Sequence, residues 1–494
     1  MVNLKSKKIV TLLLIIQLII IFLPNANSEG LYTQEKWSMF HKDLQHSGNS
    51  TSIAPDTNNV LWDYETDSSI RWSSPAIVEN KVYIGSYDKK VYCLDAVTGV
   101  KVWEFETDGY IWSSPAVEEN KVYIGSYDKK VYCLDAVTGV KVWEFETGGS
   151  IRSSPAVYDD KVYIGSNDGK VYCIYASNGT QKWSFTNSHG WDLSSSPAIV
   201  DGKVYVGSYC LDAQTGTELW SFQIIGEYYS VIVTGSSPAV IDDRVYLGVS
   251  PSYGGNPSYL CCFDANPTDD SEDEGYDDID GVNYDLIWMF ETNGVSETSS
   301  PAVANGKVYF GSWDNKIYCL DAQGNDDGTT TELWNYSLNV PIYSSPSVSD
   351  GKVYIGSNTP DNKIYCLEAE NGDLIWSYLT GGSVESSPSV YNGRLFVGSM
   401  DGFVYCFGNN PPETPSQPDG LTVGEVGDII TFSTSTNDPE GHQIQYGWDW
   451  DGDDIVDEWT NLYDSGVTLE TSHRWISSGN YDIKVKAKDS SNAE

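Results

Sequence analysis

Residues 79–107 read ENKVYIGSYDKKVYCLDAVTGVKVWEFET, and the same run returns unchanged at 119–147. A looser copy of this unit recurs along the chain: Ser-Ser-Pro, then Lys-Val-Tyr-Ile-Gly-Ser, then Val-Tyr-Cys-Leu-Asp-Ala, then a segment holding a tryptophan. The prolines are Pro75, Pro115, Pro155, Pro197, Pro238, Pro301, Pro346 and Pro388. The tryptophans are Trp62, Trp103, Trp143, Trp183, Trp220, Trp288, Trp334 and Trp376, so there are eight of each. A fixed internal period outranks other signals because it means an array of like supersecondary units, none able to bury its apolar face alone.

Each unit reads as four short strands, in the first copy Ala76–Val78, Val82–Gly85, Val91–Asp95 and Val102–Glu106. Tyr87-Asp88-Lys89-Lys90 is expected to form a tight hairpin, because Asn167-Asp168-Gly169-Lys170 and Met400-Asp401-Gly402-Phe403 place Asp-Gly, the pair favoured in two-residue hairpins, in the same slot. Asp95 to Gly99 turns the third strand into the fourth, with an Asp that can bond its own backbone and a Gly that tolerates positive φ. The second and third strands are apolar on both alternating faces, so both faces must be covered. Four-stranded sheets packed face to face in a ring supply that cover. The expected fold is therefore all-β, an eight-bladed β-propeller over 62–408. Trp62 precedes the first Ser-Ser-Pro and no tryptophan follows Tyr405-Cys406-Phe407. The segment around Trp62 should thus supply the outer strand of the last blade, closing the ring and removing a sheet edge.

The segment Asp95-Ala96-Val97-Thr98-Gly99 with Trp103 resembles the tryptophan-docking repeat of quinoprotein-like propellers, as do Asp135 to Trp143 and Asp212 to Trp220. Glu368 to Trp376 departs by Glu for Asp, and the third copy has Tyr175 in that slot. The Gly-His and Trp-Asp signatures of WD-type propellers are absent. The resemblance implies a fold but not an activity. Some members of that family are dehydrogenases carrying pyrroloquinoline quinone and calcium. Others bind proteins without cofactor, among them an envelope lipoprotein that assists outer-membrane barrel assembly. The dehydrogenases need long loops over one face, whereas most repeats here leave little beyond strands and tight turns. With five His and five Arg in all, the sequence shows no Ser-His-Asp triad or metal-binding His cluster. The expectation is a non-catalytic binding or scaffold protein without quinone. A quinone- and calcium-dependent dehydrogenase is the alternative.

Net charge is −41, from 29 basic and 70 acidic residues, which repels phosphate backbones and argues against nucleic-acid binding. Lys5, Lys7 and Lys8, the apolar run Ile9 to Leu23 and the small residues Pro24 to Ser28 have the form of a signal peptide over 1–28. That run falls short of the ~20 residues a spanning helix needs. The expected location is therefore secreted or cell-surface, with no membrane span after cleavage and envelope or extracellular proteins, or glycans, as partners. Segment 29–61 leads into the ring, and His41 and His46 within it are expected to pack rather than bind metal.

Positions that vary among close repeats are free of the fold's demands. The residue three before each proline is one: Trp72, Trp112, Arg152, Ser194, Gly235, Thr298, Tyr343 and Glu385. It should sit on the rim of the central channel, where Trp72, Trp112, Arg152, Tyr343 and Glu385 are the candidate ligand residues, a solvated rim being the alternative. Cys93, Cys133, Cys173, Cys210, Cys262, Cys319, Cys366 and Cys406 share one repeat position. Sheets stand ~10 Å apart and a disulfide needs Cα atoms within about 7 Å, so buried thiols are expected. Cys261 beside Cys262 matches the adjacent cysteines of some quinoprotein dehydrogenases, but here the pair falls in a strand. The fourth unit is shortened at Gly207-Ser208-Tyr209-Cys210. The fifth carries an acidic insertion from Asn266 to Asp285, read as a surface loop or a divalent-ion site.

Beyond the linker 409–418, residues 419–494 resemble a PKD-type immunoglobulin-like β-sandwich. The resemblance rests on Asp438-Pro439-Glu440-Gly441, Tyr446 to Gly452 and Gly479-Asn480-Tyr481, with Ile483, Val485 and Ala487 alternating behind them. The sandwich is expected to be incomplete at its C-terminal end. Asp449, Asp451, Asp453 and Asp457 have the spacing of a calcium loop, although Asp454 and Thr460 stand where such loops carry Gly and Glu.

Overall fold

The computed structural model describes residues 36–187, 192–221, 224–226, 229–231, 235–250, 258–266, 286–294 and 299–490. The signal-like segment, Thr298 and all of the acidic insertion but Asn266 fall outside them. The repeats form four-stranded antiparallel sheets, in the first Ala76–Val78, Lys81–Gly85, Lys90–Asp95 and Lys101–Glu106, and Asn49–Ser50 adds a parallel fifth strand to the sheet that begins with Ser347–Ser349. The middle strands are buried on both faces, since Val82, Tyr83, Ile84, Val91, Tyr92, Cys93 and Leu94 all lack solvent access. The outer strand buries Trp103 and exposes Lys101, Val102, Glu104 and Glu106. It is therefore the sheet's only wet strand.

Two-residue turns in which both residues have positive φ lie between the first and second strands, at Glu79-Asn80, Glu119-Asn120, Asp159-Asp160 and Asp242-Asp243 and also at Asp201-Gly202, Asn305-Gly306, Asp350-Gly351 and Asn392-Gly393. The slot at Tyr87 to Lys90 forms the expected tight hairpin, closed by Ser86 N–H to Lys90 O at 3.0 Å, but its loop has three residues, not two. There only one residue is left-handed, Lys89 at φ 74° or Gly169 at φ 78°. The Asp before it bonds the backbone instead: Asp88 Oδ1 accepts Lys90 N–H at 2.8 Å. An Asp-Gly pair suits either turn, so composition alone did not separate them.

The inner strands touch in cyclic order, and that beginning with Ala76 meets both Ala116–Glu118 and Ser389–Tyr391. The Ser-Ser-Pro segments make the ring. The first serine ties its own sheet, as Ser73 Oγ accepts Gly85 N–H at 2.9 Å. The second ties the next sheet: the N–H of Ser74 donates to Ser114 Oγ, Ser114 to Ser154, Ser154 to Ser196 and Ser196 to Ser237, each at 2.9 Å. The series runs on through Ser300, Ser345 and Ser387, whose N–H returns to Ser74 Oγ at 3.0 Å.

At the outside, Trp62, Trp103, Trp143, Trp183, Trp288 and Trp334 each dock on the neighbouring sheet through an alanine carbonyl. Trp103 Nε1 donates to Ala136 O at 3.0 Å, and its ring lies where a side chain on Gly139 (φ 71°) would have to sit. Only glycine fits there. Val60–Glu65 pairs antiparallel with Phe403–Gly408, Trp62 opposite Cys406, and Trp62 Nε1 reaches Ala96 O at 3.1 Å in the first sheet. Trp376, which meets no such turn in the last repeat, finds Pro55 O at 3.4 Å instead.

Residues 37–50 run across the inner strands as a strap. Trp37 exchanges backbone bonds with Ile77, and the carbonyls of Ser38, Leu44, Gln45, Ser47 and Gly48 accept from Val117, Ile199, Val240, Val303 and Val348. His41 and His46 are buried beside Phe40. Burial drives both imidazoles down, to about 3 and about 4. All nine cysteines are buried and free.

After the linker, two three-stranded sheets face each other. One is Asp419–Gly420, Ile429–Thr434 and Leu469–Arg474; the other is Glu458–Trp459, Ile444–Asp449 and Lys484–Asp489. Phe432, Ile444, Tyr446, Trp448, Trp450, Leu469 and Ala487 form their shared core.

Candidate functional site

The side chains that precede the inner strands gather where the first, second, third and last sheets meet. Trp72 and Trp112 cross edge to face, centroids 4.2 Å apart at 80°. Tyr87 stacks on Tyr110 at 5.1 Å and lies parallel to Trp112 at 5.8 Å, while Tyr127 is 4.8 Å from Trp112. Two guanidinium groups flank the rings: Arg71 lies 4.4 Å from the Trp72 centroid, and Arg152 4.5 Å from that of Trp112. Arg152 also donates to Tyr127 Oη at 2.7 Å. Arg71 Nε is 2.6 Å from Glu385 Oε2. Burial holds the Glu385 carboxyl above its usual range, an effect Arg71 only partly offsets.

Two features of this cluster are not demanded by the fold. The indole Nε1 groups of Trp72 and Trp112 are buried and donate to nothing in the chain, which is costly for a polar group. Trp72 also has φ 60°, a left-handed conformation that a bulky residue adopts only under constraint. The constraint is one extra residue. Ile111 fills a core slot four residues before Pro115, whereas Ile70 fills the equivalent slot, against Gly398, five before Pro75. The backbone bulges, and Arg71 and Trp72 share the space that Trp112 occupies alone.

Of the candidates named from the sequence, Trp72, Trp112 and Arg152 come together, and Glu385 joins them through Arg71. Tyr343 packs edge to face with Trp313 at 4.9 Å, within reach of the charges of Glu385 and Arg71. Sequence reasoning missed Arg71, Tyr87, Tyr110, Tyr127 and Trp313. The spacing from Ile70 to Pro75 signals Arg71. Tyr87, Tyr127 and Trp313 fill a second variable slot, just after Gly-Ser, which also holds Asn167, Asn358 and Met400.

In the C-terminal sandwich, one ligand atom from each of Asp449, Asp451 and Asp453 lies within 4.8 Å of the others. Asp457 is outside this trio, its Oδ2 accepting Trp450 N–H at 2.7 Å. Asp449 is likewise committed, to Gly452 N–H at 2.7 Å and Asp454 N–H at 2.9 Å. Cys261 and Cys262 lie inside Ser258–Asp264, with Cys262 opposite Trp288 as Cys93 is opposite Trp103, and burial pushes the Cys262 thiol up to about 12.

Radial sheets joined by docked tryptophans define a propeller-like all-β protein. Within that class, the chain belongs to the family of the outer membrane protein assembly factor BamB, whose sequence profile matches residues 47–264 and 325–409. Its fold is similar to BamB from Moraxella catarrhalis (TM-score 0.55, 19% identity, 71% of this chain and 99% of that one). It is also similar to the quinohemoprotein alcohol dehydrogenase from Comamonas testosteroni (0.61, 15%, 79% and 83%) and to a europium-containing methanol dehydrogenase (0.58, 14%, 74% and 91%). No curated protein matches the chain in sequence.

Proposed function

We propose that this chain is a non-catalytic, extracytoplasmic interaction protein, an eight-bladed propeller followed by an immunoglobulin-like module. Its aromatic rim grips an extended segment of an envelope protein. The observation that carries this reading is the pair of buried, unpartnered indole N–H groups at Trp72 and Trp112, flanked by Arg71 and Arg152. Such a surface suits a ligand that offers carbonyl or carboxylate oxygens and a flat side chain to stack. Membership in a family named for outer-membrane protein assembly supports a protein partner and an extracytoplasmic location.

The rim residues do not fit a quinone with its calcium. Arg71 is engaged by Glu385, the two indoles cross instead of lying parallel, and Cys261 and Cys262 are inside a sheet. Among the described residues, the groups of three potential metal ligands all lie in the C-terminal sandwich.

The test is capture of envelope proteins by the wild type against a Trp112→Ala variant shown to be folded. Specific proteins retained by the first and lost by the second are expected. Equal capture by both, or dye-linked alcohol oxidation after addition of pyrroloquinoline quinone and calcium, would sink the reading.

A further inference from the structure

Where the linker meets the sandwich, acidic and imidazole side chains converge. Asp438 opens the turn Asp438-Pro439-Glu440-Gly441, and its Oδ1 accepts the N–H groups of Glu440 at 3.0 Å and His442 at 2.8 Å. The turn holds the His442 ring against the end of the strand Lys484–Asp489. His442 Nδ1 lies 3.4 Å from Asp438 Oδ1 and 3.4 Å from Asp489 Oδ2, and both aspartate side chains are wholly buried. On the ring's other edge, Nε2 is 3.0 Å from Oδ2 of Asp56, in the segment that leads into the propeller. Asp56 Oδ1 is in turn 2.9 Å from Lys352.

This arrangement is unbalanced as it stands. An ionised carboxylate only accepts hydrogen bonds, so Asp56 places the imidazole hydrogen on Nε2. The Nδ1 lone pair then faces two carboxylates. Asp438 Oδ2, His442 Nδ1 and, two residues away, Glu440 Oε2 are all buried without a hydrogen-bond partner. The nearest oxygens of both carboxylates stand 3.4 Å from Nδ1, beyond the ~2.7–3.2 Å of an N–H···O bond.

A metal ion answers the geometry better. Two ligands each about 2.1 Å from a tetrahedral ion stand roughly 3.4 Å apart. One ligand atom from each of Asp438, His442 and Asp489 lies within 4.8 Å of the other two. A carboxylate on the far nitrogen is also the usual means of orienting a ligating histidine. One imidazole and two carboxylates suit zinc better than calcium, which prefers an all-oxygen shell.

We propose that Asp438, His442 and Asp489 bind one divalent transition-metal ion, with zinc as the best match. Asp56 is the positioning residue, so that the ion pins the sandwich to the propeller. This site is independent of the rim and of the partner assigned to it.

The experiment is calorimetric titration of Zn2+ into the full-length protein after chelator treatment, with Co2+ as a spectroscopic probe. One Zn2+ per chain is expected, as is visible Co2+ absorption that Zn2+ abolishes. His442→Ala should lose both signals while far-UV circular dichroism stays unchanged. Asp449→Asn, in the other acidic loop, should keep both. Asp56→Asn should weaken Zn2+ about 10- to 100-fold without changing the stoichiometry. Three results would each overturn the proposal: no stoichiometric binding by the wild type, undiminished binding by His442→Ala, or loss of binding in Asp449→Asn. Because the wild-type titration decides by itself, a misfolded variant does not rescue the idea.

Discussion

Two stretches break the eightfold repeat, the strap over residues 37–50 and the rim around Trp72 and Trp112, and they do so in different ways. The strap spends its irregularity inside the molecule: its carbonyls pair with the inner strands, and Trp37, Met39, His41 and His46 are buried. The rim has exposed edges, Tyr110 being 49% accessible, and keeps buried donors with nothing to donate to. The strap carries the same two signs, since both ring nitrogens of His41 are buried without a partner and His41, Lys42 and His46 have positive φ. What separates the two regions is that the strap is sealed and the rim borders solvent. Unanswered donors beside an exposed edge are within reach of a ligand, whereas those sealed under the strap are not.

The sharpest test of this contrast is a pair of tryptophans. Trp37→Ala should cost about 3–5 kcal/mol in chemical denaturation, as expected for a fully buried ring. A cost near zero would mean that the strap does not hold the propeller together.

Acid should come next. His41 and His46 are held neutral, their pKa values lowered to about 3 and about 4 from 6.5. The unfolded chain therefore binds more protons as pH falls. The contribution from burying these rings neutral is complete above pH 6.5 and drains away as pH drops toward 4. For His46 the loss by pH 4 is on the order of 3 kcal/mol. Urea midpoints measured from pH 7 to pH 4 should decline, and His46→Gln should flatten the decline.

A smaller effect is expected at the serine ring. Ser114→Ala removes the acceptor for the buried Ser74 N–H, at about 1–2 kcal/mol. The smallest belongs to the rim. Trp72→Gly relieves roughly 1 kcal/mol of left-handed strain, which offsets the packing lost from a half-buried ring. Its melting temperature should stay within about 2 °C of wild type while capture of the rim's partner is lost. A Trp72→Gly protein as unstable as Trp37→Ala would show the rim to be ordinary core.

Much of the sheet structure was legible because the repeat states it many times. The strand centres, the free cysteines and the Trp62 strand beside Tyr405-Cys406-Phe407 all follow from the alignment of one unit on the next. The turns were less legible, since Asp, Asn and Gly serve both turn types. Of the site, the slot three before each proline was readable because otherwise close repeats disagree there. Arg71 was not read from that slot, because it arises from an insertion that shifts the register by one. The cluster at Asp438, His442 and Asp489 was invisible for a different reason: its members are separated in the chain, and the group that orients His442 lies more than 380 residues away at Asp56.

The sequence by itself determined the unit, since strands apolar on both faces, docking glycines and paired serines recur along the chain at one period. Only the tertiary structure decided which variable side chains meet. Closing the ring sets Glu385 of the last repeat beside Arg71 of the first, and the linker's path sets Asp56 against His442. Those contacts depend on how units are arranged in space, and no local pattern encodes that arrangement.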